Sequence, residues 1–250
     1  MRIAICGFGR AGKSLAHKIV TEGEHVLCAV LNRDESASVG KDSGELLEMP
    51  ANGIKVTPIS DAVKVLTDAK ADVVIDFSNK DTTLKLAKIC IDAPVSYVVC
   101  TTSFSNEQLI ELKSIGEKFN KGLIYAPNLT VGINLLMDFV RQISLMLPDF
   151  DFEIVERHSK GKPRVTTTAK VIASKIERDE VPISSVRVGG YVGVHEVTAA
   201  NKNERITIVH ESFTREAFAH GALLAASYIN RNPSGYHEMS DVIQEMKNAL

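Results

Sequence analysis

The sequence predicts an α/β domain built on a doubly wound parallel sheet, followed by a second α+β domain built on a mixed or antiparallel sheet. Over residues 1–128, runs of apolar and β-branched residues alternate with helical patterns, as in parallel sheets whose strands are buried on both faces. After residue 129 the pattern changes to a long apolar helix followed by strands with alternating polarity. A chain of 250 residues also exceeds the common size of one domain.

The first domain is predicted to contain five strands, each nearly continuous in apolar residues. The strands are 2–6, 25–31, 72–77, 95–100 and 123–127, and the helices between them are 12–22, 60–70, 81–91 and 105–119. Ser105 followed by Gln108 resembles a capping box at the start of the last of these helices. Regular alternation of this kind predicts parallel pairing, because each crossover helix returns the chain to the same edge of the sheet.

The second domain is predicted to begin with a long apolar helix. In order, the elements are a helix at 132–147, a strand at 151–157, a basic segment at 157–164, a helix at 166–177, antiparallel strands between 181 and 213, and helices at 214–229 and 238–249. We expect the final helices to return to the first domain. The expected domains are therefore 1–128 with about 217–250, and 129–216.

Composition narrows the functional classes. Hydrophobic residues make up 44% and charged residues 24%, and the net charge of -2 gives no general basic excess for nucleic acid or a membrane surface. The N-terminal apolar stretch is too short and too interrupted for a signal peptide or a membrane span. The four cysteines are widely spaced and form no CxxC pair, which favours reduced thiols over metal ligands or disulfides. We therefore expect a cytoplasmic protein without a metal site.

A glycine-rich motif follows the first strand directly and opens the first helix. Its residues are Gly7, Phe8, Gly9, Arg10, Ala11 and Gly12. In a GxGxxG motif the first glycine allows a tight turn, the second lets a pyrophosphate approach the backbone, and the third allows close helix–strand contact. The strand–motif–helix context predicts a Rossmann-type dinucleotide site, and the alternative is a glycine-rich turn without a ligand.

The end of the second strand bears on cofactor choice. Asn32 stands where enzymes that prefer NAD usually have an acidic residue, and Arg33 follows it. A neutral residue beside a guanidinium suits a 2′-phosphate, which predicts NADPH. Asp34 leaves NADH possible, and Arg33 alternatively carries only a solvated loop charge.

Further cofactor candidates lie where ligands enter an open α/β sheet, at the ends of its strands. They are Phe77, Ser78, Thr101, Thr102 and Asn128. Asp76 precedes the first two of these residues, and its alternative role is to cap the following turn.

The segment 153–169 combines basic side chains with a titratable ring. Arg157, Lys160, Lys162 and Arg164 lie within eight residues, with His158 among them. Such a cluster can bind an anion beside a proton donor. The alternative is a solvated basic loop.

The chain resembles the dihydrodipicolinate reductase family over nearly its whole length. DFSN (76–79), CTTSF (100–104) and APNLTVGINLL (126–136) are similar to motifs of that family. Residues 156–169 correspond to its signature Glu-x-His-His-x-x-Lys-x-Asp-x-Pro-Ser-Gly-Thr-Ala, and RVGGYVGVHEV (187–197) and VHESFTREAFAHGAL (209–223) follow its later strands and closing helix.

The resemblance implies an activity and site residues. It implies hydride transfer from a nicotinamide to a cyclic imine dicarboxylate, 4-hydroxy-tetrahydrodipicolinate, in lysine and diaminopimelate biosynthesis. His158 would be the general acid, and Lys162 would bind a carboxylate and support developing charge. Ser159, Thr167 and Thr168 stand at substrate-binding positions, and the family implies a homotetramer formed through the second domain's sheet.

The sequence departs from the signature at this site. Ser159 replaces the second histidine, one residue is missing before Thr168, and a threonine run replaces Ser-Gly-Thr. Two alternatives follow: a reductase of the same fold acting on another imine or oxo acid, and a nucleotide-sensing protein without catalysis. We interpret His195 and His210, in alternating strands, as cross-strand surface or interface residues.

Overall fold

The structure is a computed structural model that describes residues 1–91, 93–119, 121–162 and 164–249. The chain divides into two compact units, Met1–Leu129 with Phe218–Leu250, and Thr130–Ala217. Pro163, in the predicted basic segment, and Leu250, at the end of the predicted first domain, lie outside the described residues. Among the described residues, no helix is both long enough and apolar enough to cross a membrane.

The first unit is built on a parallel sheet. Its strands are β1 (Arg2–Cys6), β2 (Val26–Asn32), β3 (Val56–Pro58), β4 (Val73–Asp76), β5 (Ser96–Val99), β6 (Leu123–Tyr125) and β11 (Tyr236–Glu238). The order across the sheet is β11-β6-β5-β4-β1-β2-β3, and every pair is parallel. The strand order reverses direction at β1, which confirms the doubly wound prediction.

Helices cover both faces of this sheet. They are α1 (Arg10–Glu22), α2 (Ser43–Leu46), α3 (Ala62–Asp68), α4 (Lys80–Cys90), α5 (Asn106–Gly116), α8 (Glu216–Arg231) and α9 (Met239–Asn248). Ile3 and Ile5 of β1 pack in one core with α1, α8 and α9, whereas Ala4 and Cys6 face a second core formed with α3, α4 and α5. Alternate residues of a buried strand thus serve two cores, which explains its continuous apolar sequence.

The second unit has a four-stranded mixed sheet. Its elements are α6 (Val131–Met146), β7 (Asp151–His158), α7 (Thr167–Ala173), β8 (Ile183–Arg187), β9 (Gly193–Ala200) and β10 (Arg205–Ser212). The sheet order is β10-β9-β7-β8, with β9 antiparallel to both β7 and β10. The prediction of antiparallel strands is wrong for β8, which runs parallel to β7. The reason is that α7 makes a crossover between these two strands, where a tight turn would have reversed the chain.

Other boundaries also differ from the prediction. The sequence does not predict β3 and β11, because they have three residues each, too few for a recognisable periodicity. Helix α7 ends at Ala173, short of the predicted residue 177. The capping box of α5 is confirmed, since Ser105 Oγ accepts from Gln108 N and Gln108 Oε1 accepts from Ser105 N.

Strand β7 positions the principal site of the second unit. Its residues alternate between the two faces of the sheet, so Phe152, Ile154, Glu156 and His158 share the buried face. Phe152 and Ile154 pack in the core with α6 and α7. The two polar residues lie on the same face at the carboxyl end of the strand.

Candidate active site

The glycine loop of the first unit has the geometry that its motif requires. Gly7 has a φ of +84°, and a Cβ there would lie 2.6 Å from the backbone nitrogen of Ser78. At Gly12 a Cβ would lie 2.0 Å from the carbonyl oxygen of Gly7. Both positions therefore exclude any side chain, because backbone atoms cannot move aside.

Gly9 differs from its two neighbours in the motif. A Cβ at Gly9 would meet no described atom within 4 Å. Gly9 is also the N-cap of α1 and provides no side-chain cap, so the first N–H groups of that helix have no side-chain acceptor there. Neither the turn nor the packing requires glycine at this position. Open space at a helix N-terminus fits the approach of a pyrophosphate. The side chain of Phe8 packs in the core, whereas Arg10 is exposed.

The tip of β2 is organised by Asn32. Its Nδ2 donates to Ser36 Oγ and Ser38 Oγ at 3.0 Å each, and its Oδ1 accepts from Arg33 N. The Arg33 side chain is exposed and has no bond to any of the described residues. Asp34, in contrast, accepts from Lys85 Nζ and from Ser60 N at 3.0 Å each. Of the two charged residues at this tip, the cation is therefore the one available to a ligand.

A cleft opens at the ends of β4 and β5. Phe77 and Ser78 line one side, and Thr101 and Thr102 line the other. These four residues are predicted cofactor contacts, and the structure brings them together. Asn128, the remaining candidate, is half-buried just after β6.

Asp76 forms hydrogen bonds that support the residues lining this cleft. The carboxylate is fully buried, and it accepts from Ser78 N at 2.7 Å, Thr83 Oγ1 at 2.8 Å and Tyr97 Oη at 2.5 Å. Thr83 Oγ1 in turn lies 2.9 Å from Thr101 Oγ1. Burial raises the pKa of Asp76, although its hydrogen bonds oppose the shift. Asp76 thus supports both walls of the cleft, as a turn-capping residue does.

The second unit contains a buried cluster of three titratable residues. Glu156 and His158 lie on β7, and His195 lies directly opposite Glu156 on β9. The Nε2 atoms of His158 and His195 both lie 3.9 Å from Glu156 Oε2. The two rings meet edge to face, with centroids 5.3 Å apart.

His158 is the residue that the sequence predicts as the general acid. Its Nδ1 lies 3.0 Å from the carbonyl oxygen of Val192, and a carbonyl can only accept, so Nδ1 carries a hydrogen. Its Nε2 is buried and has no hydrogen-bond partner among the described residues. Burial lowers the pKa of His158, and Arg187 and Lys162 lower it further, whereas Val192 and Glu156 raise it.

Desolvation is the largest cause of this pKa shift, and Lys162, in the basic segment, contributes to it. Arg157 is paired with Glu196 on β9 at 2.9 Å. Lys160, Lys162 and Arg164 are exposed.

Glu156 is the residue that sequence reasoning missed. Its side chain is fully buried and accepts from Arg187 NH2 at 2.5 Å, Ser185 Oγ at 2.6 Å and Thr166 Oγ1 at 2.5 Å. Burial alone would raise the pKa of Glu156, but the bonds from Ser185, Thr166 and Arg187 lower it to about 2. Glu156 is therefore a buried, ionised carboxylate at neutral pH.

The interpretation of His195 as a surface residue is wrong. Its side chain is only 5% exposed, because it points to the buried face between Glu156 and His210. Burial lowers the pKa of His195 to about 4, with His158 as the second cause. His210 is half-buried, and its Nδ1 has no partner among the described residues.

The threonine run leads into α7. Thr166 is the N-cap, and Thr167 and Thr168 are the first two residues of the helix. Thr167 does not occupy a conformation that demands glycine. The left-handed residue is Val165, at φ +56°, and its N–H donates to Ser185 Oγ at 2.9 Å. Ser159 lies after β7, where its N–H donates to the carbonyl of Tyr191.

The cluster Glu156–His158–His195 also has the donor types of a metal site. Its three ligand atoms lie within 4.8 Å of one another. However, the carboxylate already accepts from three side chains, including a guanidinium whose charge opposes a cation. We therefore interpret the cluster as a hydrogen-bonding and proton-binding unit.

A doubly wound sheet that opens with this glycine loop is typical of nicotinamide-dependent oxidoreductases, and the chain is an enzyme of that class. Two family models make the assignment specific. "Dihydrodipicolinate reductase, N-terminus" matches residues 1–129, and "Dihydrodipicolinate reductase, C-terminus" matches residues 132–243. The chain belongs to the dihydrodipicolinate reductase family.

Individual relatives agree with this assignment. The 4-hydroxy-tetrahydrodipicolinate reductase of Methanopyrus kandleri is 32% identical over 94% of this chain and 93% of its own. That of Hahella chejuensis is 32% identical over 97% of this chain and 98% of its own. A dipicolinate-bound dihydrodipicolinate reductase from Paenisporosarcina shares the fold, with a TM-score of 0.77, 24% identity and coverage of 95% and 97% of the two chains. An amine dehydrogenase from Mycobacterium smegmatis has a TM-score of 0.70 at 13% identity, covering 94% of each chain.

Proposed function

We propose that this enzyme reduces 4-hydroxy-tetrahydrodipicolinate to tetrahydrodipicolinate, a step of lysine and diaminopimelate biosynthesis in the cytoplasm. One observation carries the proposal: a buried His158–Glu156 pair stands at the signature positions of the family, with Lys162 exposed four residues beyond. The relatives named for this reaction support the choice of substrate.

The first unit would bind the nicotinamide cofactor, which supplies a hydride. The loop Gly7–Gly12 fits the pyrophosphate because Gly9 is open and α1 begins there. Arg33 would contact a 2′-phosphate, which favours NADPH, while NADH remains usable through the same loop. Phe77, Ser78, Thr101, Thr102 and Asn128 would complete the cofactor site. Titration of both cofactors tests the preference, and a preference for NADH that survives Arg33→Ala contradicts it.

His158 would supply the proton that the reduced substrate needs. Nδ1 carries a hydrogen, and Glu156 supports positive charge at Nε2. Because desolvation lowers the pKa of this ring, the imidazolium is a stronger acid than an exposed histidine. A bound dicarboxylate would raise that pKa again and so favour protonation in the complex.

Lys162 and the threonine run would bind the substrate's carboxylates. Lys162 is exposed and carries a cation, and its backbone carbonyl accepts from Arg187 Nε at 3.2 Å. Ser159, Thr167 and Thr168 would contribute N–H or hydroxyl donors. The altered run from Val165 to Thr168 favours a second candidate, a reductase of a related cyclic imine or oxo acid.

Turnover assays separate these candidates. We expect NADPH oxidation that depends on 4-hydroxy-tetrahydrodipicolinate. His158→Gln should lower kcat by about 100-fold or more, as loss of a general acid does. Lys162→Met should lower kcat/KM still further, because it removes both binding and charge stabilisation. NADPH affinity should change little in both variants. Near-normal rates in both would show that the basic segment is only a solvated loop.

We also propose a homotetramer assembled through the sheet of the second unit. Val186 of β8 and Val209 of β10, exposed by 40% and 56%, are apolar residues on these strands. The mass in solution, measured by light scattering, tests the assembly, and a monomer would contradict it.

A further inference from the structure

Glu156 contacts two parts of the second unit that have separate roles in the proposed reaction. One oxygen faces the ring of His158, and the same carboxylate binds the turn before Thr167 and Thr168. We propose that Glu156 is a positioning residue that couples the proton donor to the carboxylate-binding segment. This inference rests on the proposed function, because it takes the roles of His158 and the threonines from there.

The first contact is electrostatic. The titratable or charged groups facing His158 are Glu156 on its own strand, His195 on β9, Arg187 on β8 and Lys162 in the following loop. Of these, only Glu156 is negative. Burial, Arg187 and Lys162 all disfavour the imidazolium. The Glu156 carboxylate and the Val192 carbonyl oppose them and stabilise the protonated form of the ring.

The second contact is mechanical. Thr166 N lies 3.2 Å from both carboxylate oxygens of Glu156, and Thr166 Oγ1 lies 2.5 Å from Oε2. Ser185 Oγ donates to Oε1 and accepts from Val165 N. Val165 is β-branched and has a φ of +56°, a conformation that such residues adopt only when their surroundings impose it. The carboxylate therefore holds a strained turn whose next residues are the proposed substrate ligands.

The pairing of Arg187 with Glu156 explains how this charge can be buried. The guanidinium lies 2.5 Å from Oε1, is itself largely buried, and donates through Nε to the carbonyl of Lys162. Arg187 thus links Glu156 to the backbone of the other proposed catalytic residue. One carboxylate in this way fixes the ring, the threonine turn and the lysine segment relative to one another.

Two substitutions separate the two contacts. Glu156→Gln removes the charge and weakens the turn, so it should affect both proton donation and substrate binding. Thr166→Val removes the hydroxyl bond to Glu156, together with the N-cap bond from Ala169 N, and leaves the charge of Glu156 in place. Thr166→Ser keeps the hydroxyl and should restore the native behaviour. Glu196→Gln serves as the matched control, since it removes a carboxylate that is ion-paired on the adjacent strand β9.

The experiment measures kcat and KM against pH, together with the pKa of His158 by NMR of its imidazole carbons. A general acid must be protonated, so the rate falls as pH rises through its pKa. Glu156→Gln should move this fall, and the NMR pKa, to lower pH by about one unit, and should raise KM for the dicarboxylate about tenfold. Thr166→Val should raise KM without moving the pH profile, and Glu196→Gln should do neither.

The outcomes separate this inference from the proposed function. If the native enzyme does not turn over 4-hydroxy-tetrahydrodipicolinate, the proposed function fails, while the NMR pKa still reports the coupling of Glu156 to His158. An unchanged NMR pKa in folded Glu156→Gln overturns the inference, as does an unchanged KM in Thr166→Val. Should Glu156→Gln fail to fold, Glu156→Asp replaces it. This variant keeps the carboxylate but moves it away by the length of one methylene, so the NMR pKa and KM should change in the same directions.

Discussion

The ring of His158 is seated against a backbone position that has no side chain. A Cβ at Gly193 would lie 2.9 Å from Cε1 and 3.4 Å from Nδ1 of this ring. Gly193 opens β9, and His195 follows two residues later on the same buried face. The position of the proton donor therefore depends on a glycine, as well as on its charged neighbours.

Gly193→Ala is expected to displace the His158 ring while leaving the fold intact. A displacement of a few tenths of an ångström should lower kcat about tenfold, because proton transfer is sensitive to the position of the donor. Gly190→Ala is the matched control, since a Cβ there meets no described atom within 4 Å. Steady-state kinetics of the two variants test the expectation. Equal rates in both would show that the ring tolerates the new methyl group.

The sequence predicted those site residues whose type and spacing indicate a chemical role, and it missed those that strand pairing brings together. His158 and Lys162 were found through signature spacing. Glu156 and His195 were not, because they meet only through the register of β7 against β9, 39 residues apart in the chain. One available signal was that Glu156 and His158 are two residues apart on a strand and must share a face.

At the scale of elements, periodicity predicted long elements and failed on short or non-local ones. The five strands of the first unit that were predicted are present, because strands buried on both faces are marked by continuous apolar sequence. The direction of β8 was not predictable in the same way. The sequence of a strand indicates whether the strand is buried, whereas the direction of β8 depends on the crossover through α7.

The βα turn at the glycine loop allows a test that separates binding from folding. Gly9→Val should leave the first unit folded, because its Cβ has open space and α1 begins there with an ordinary extended N-cap. NADPH affinity should fall by at least about 100-fold, since the side chain would occupy the pyrophosphate position. Gly12→Val should instead destabilise the fold, because its Cβ meets the carbonyl of Gly7 at 2.0 Å. Cofactor titration and thermal unfolding distinguish the two, and unchanged affinity in folded Gly9→Val would show that the loop is only a turn.

For the whole molecule, buried histidines make stability depend on pH. Burial lowers the pKa of His195 to about 4, against 6.5 for an unburied ring, and lowers that of His158 as well. Between about pH 4 and pH 6.5, His195 is therefore protonated in the unfolded chain but not in the folded chain. The free energy of unfolding must therefore fall as pH decreases through this window, by about 1.4 kcal/mol per pH unit for one fully displaced histidine.

His195→Gln should flatten this dependence. The variant carries no ring to protonate at position 195, so its free energy of unfolding should fall less steeply between pH 6.5 and pH 4.5 than that of the native chain. The difference in slope should approach 1.4 kcal/mol per pH unit. His17→Gln is the control, because His17 is an exposed histidine on α1, outside the buried cluster. Urea denaturation followed by circular dichroism at several pH values measures both slopes. Parallel curves for the native chain and His195→Gln would mean that His195 is protonated in the folded state, which is incompatible with its burial between Glu156 and His210.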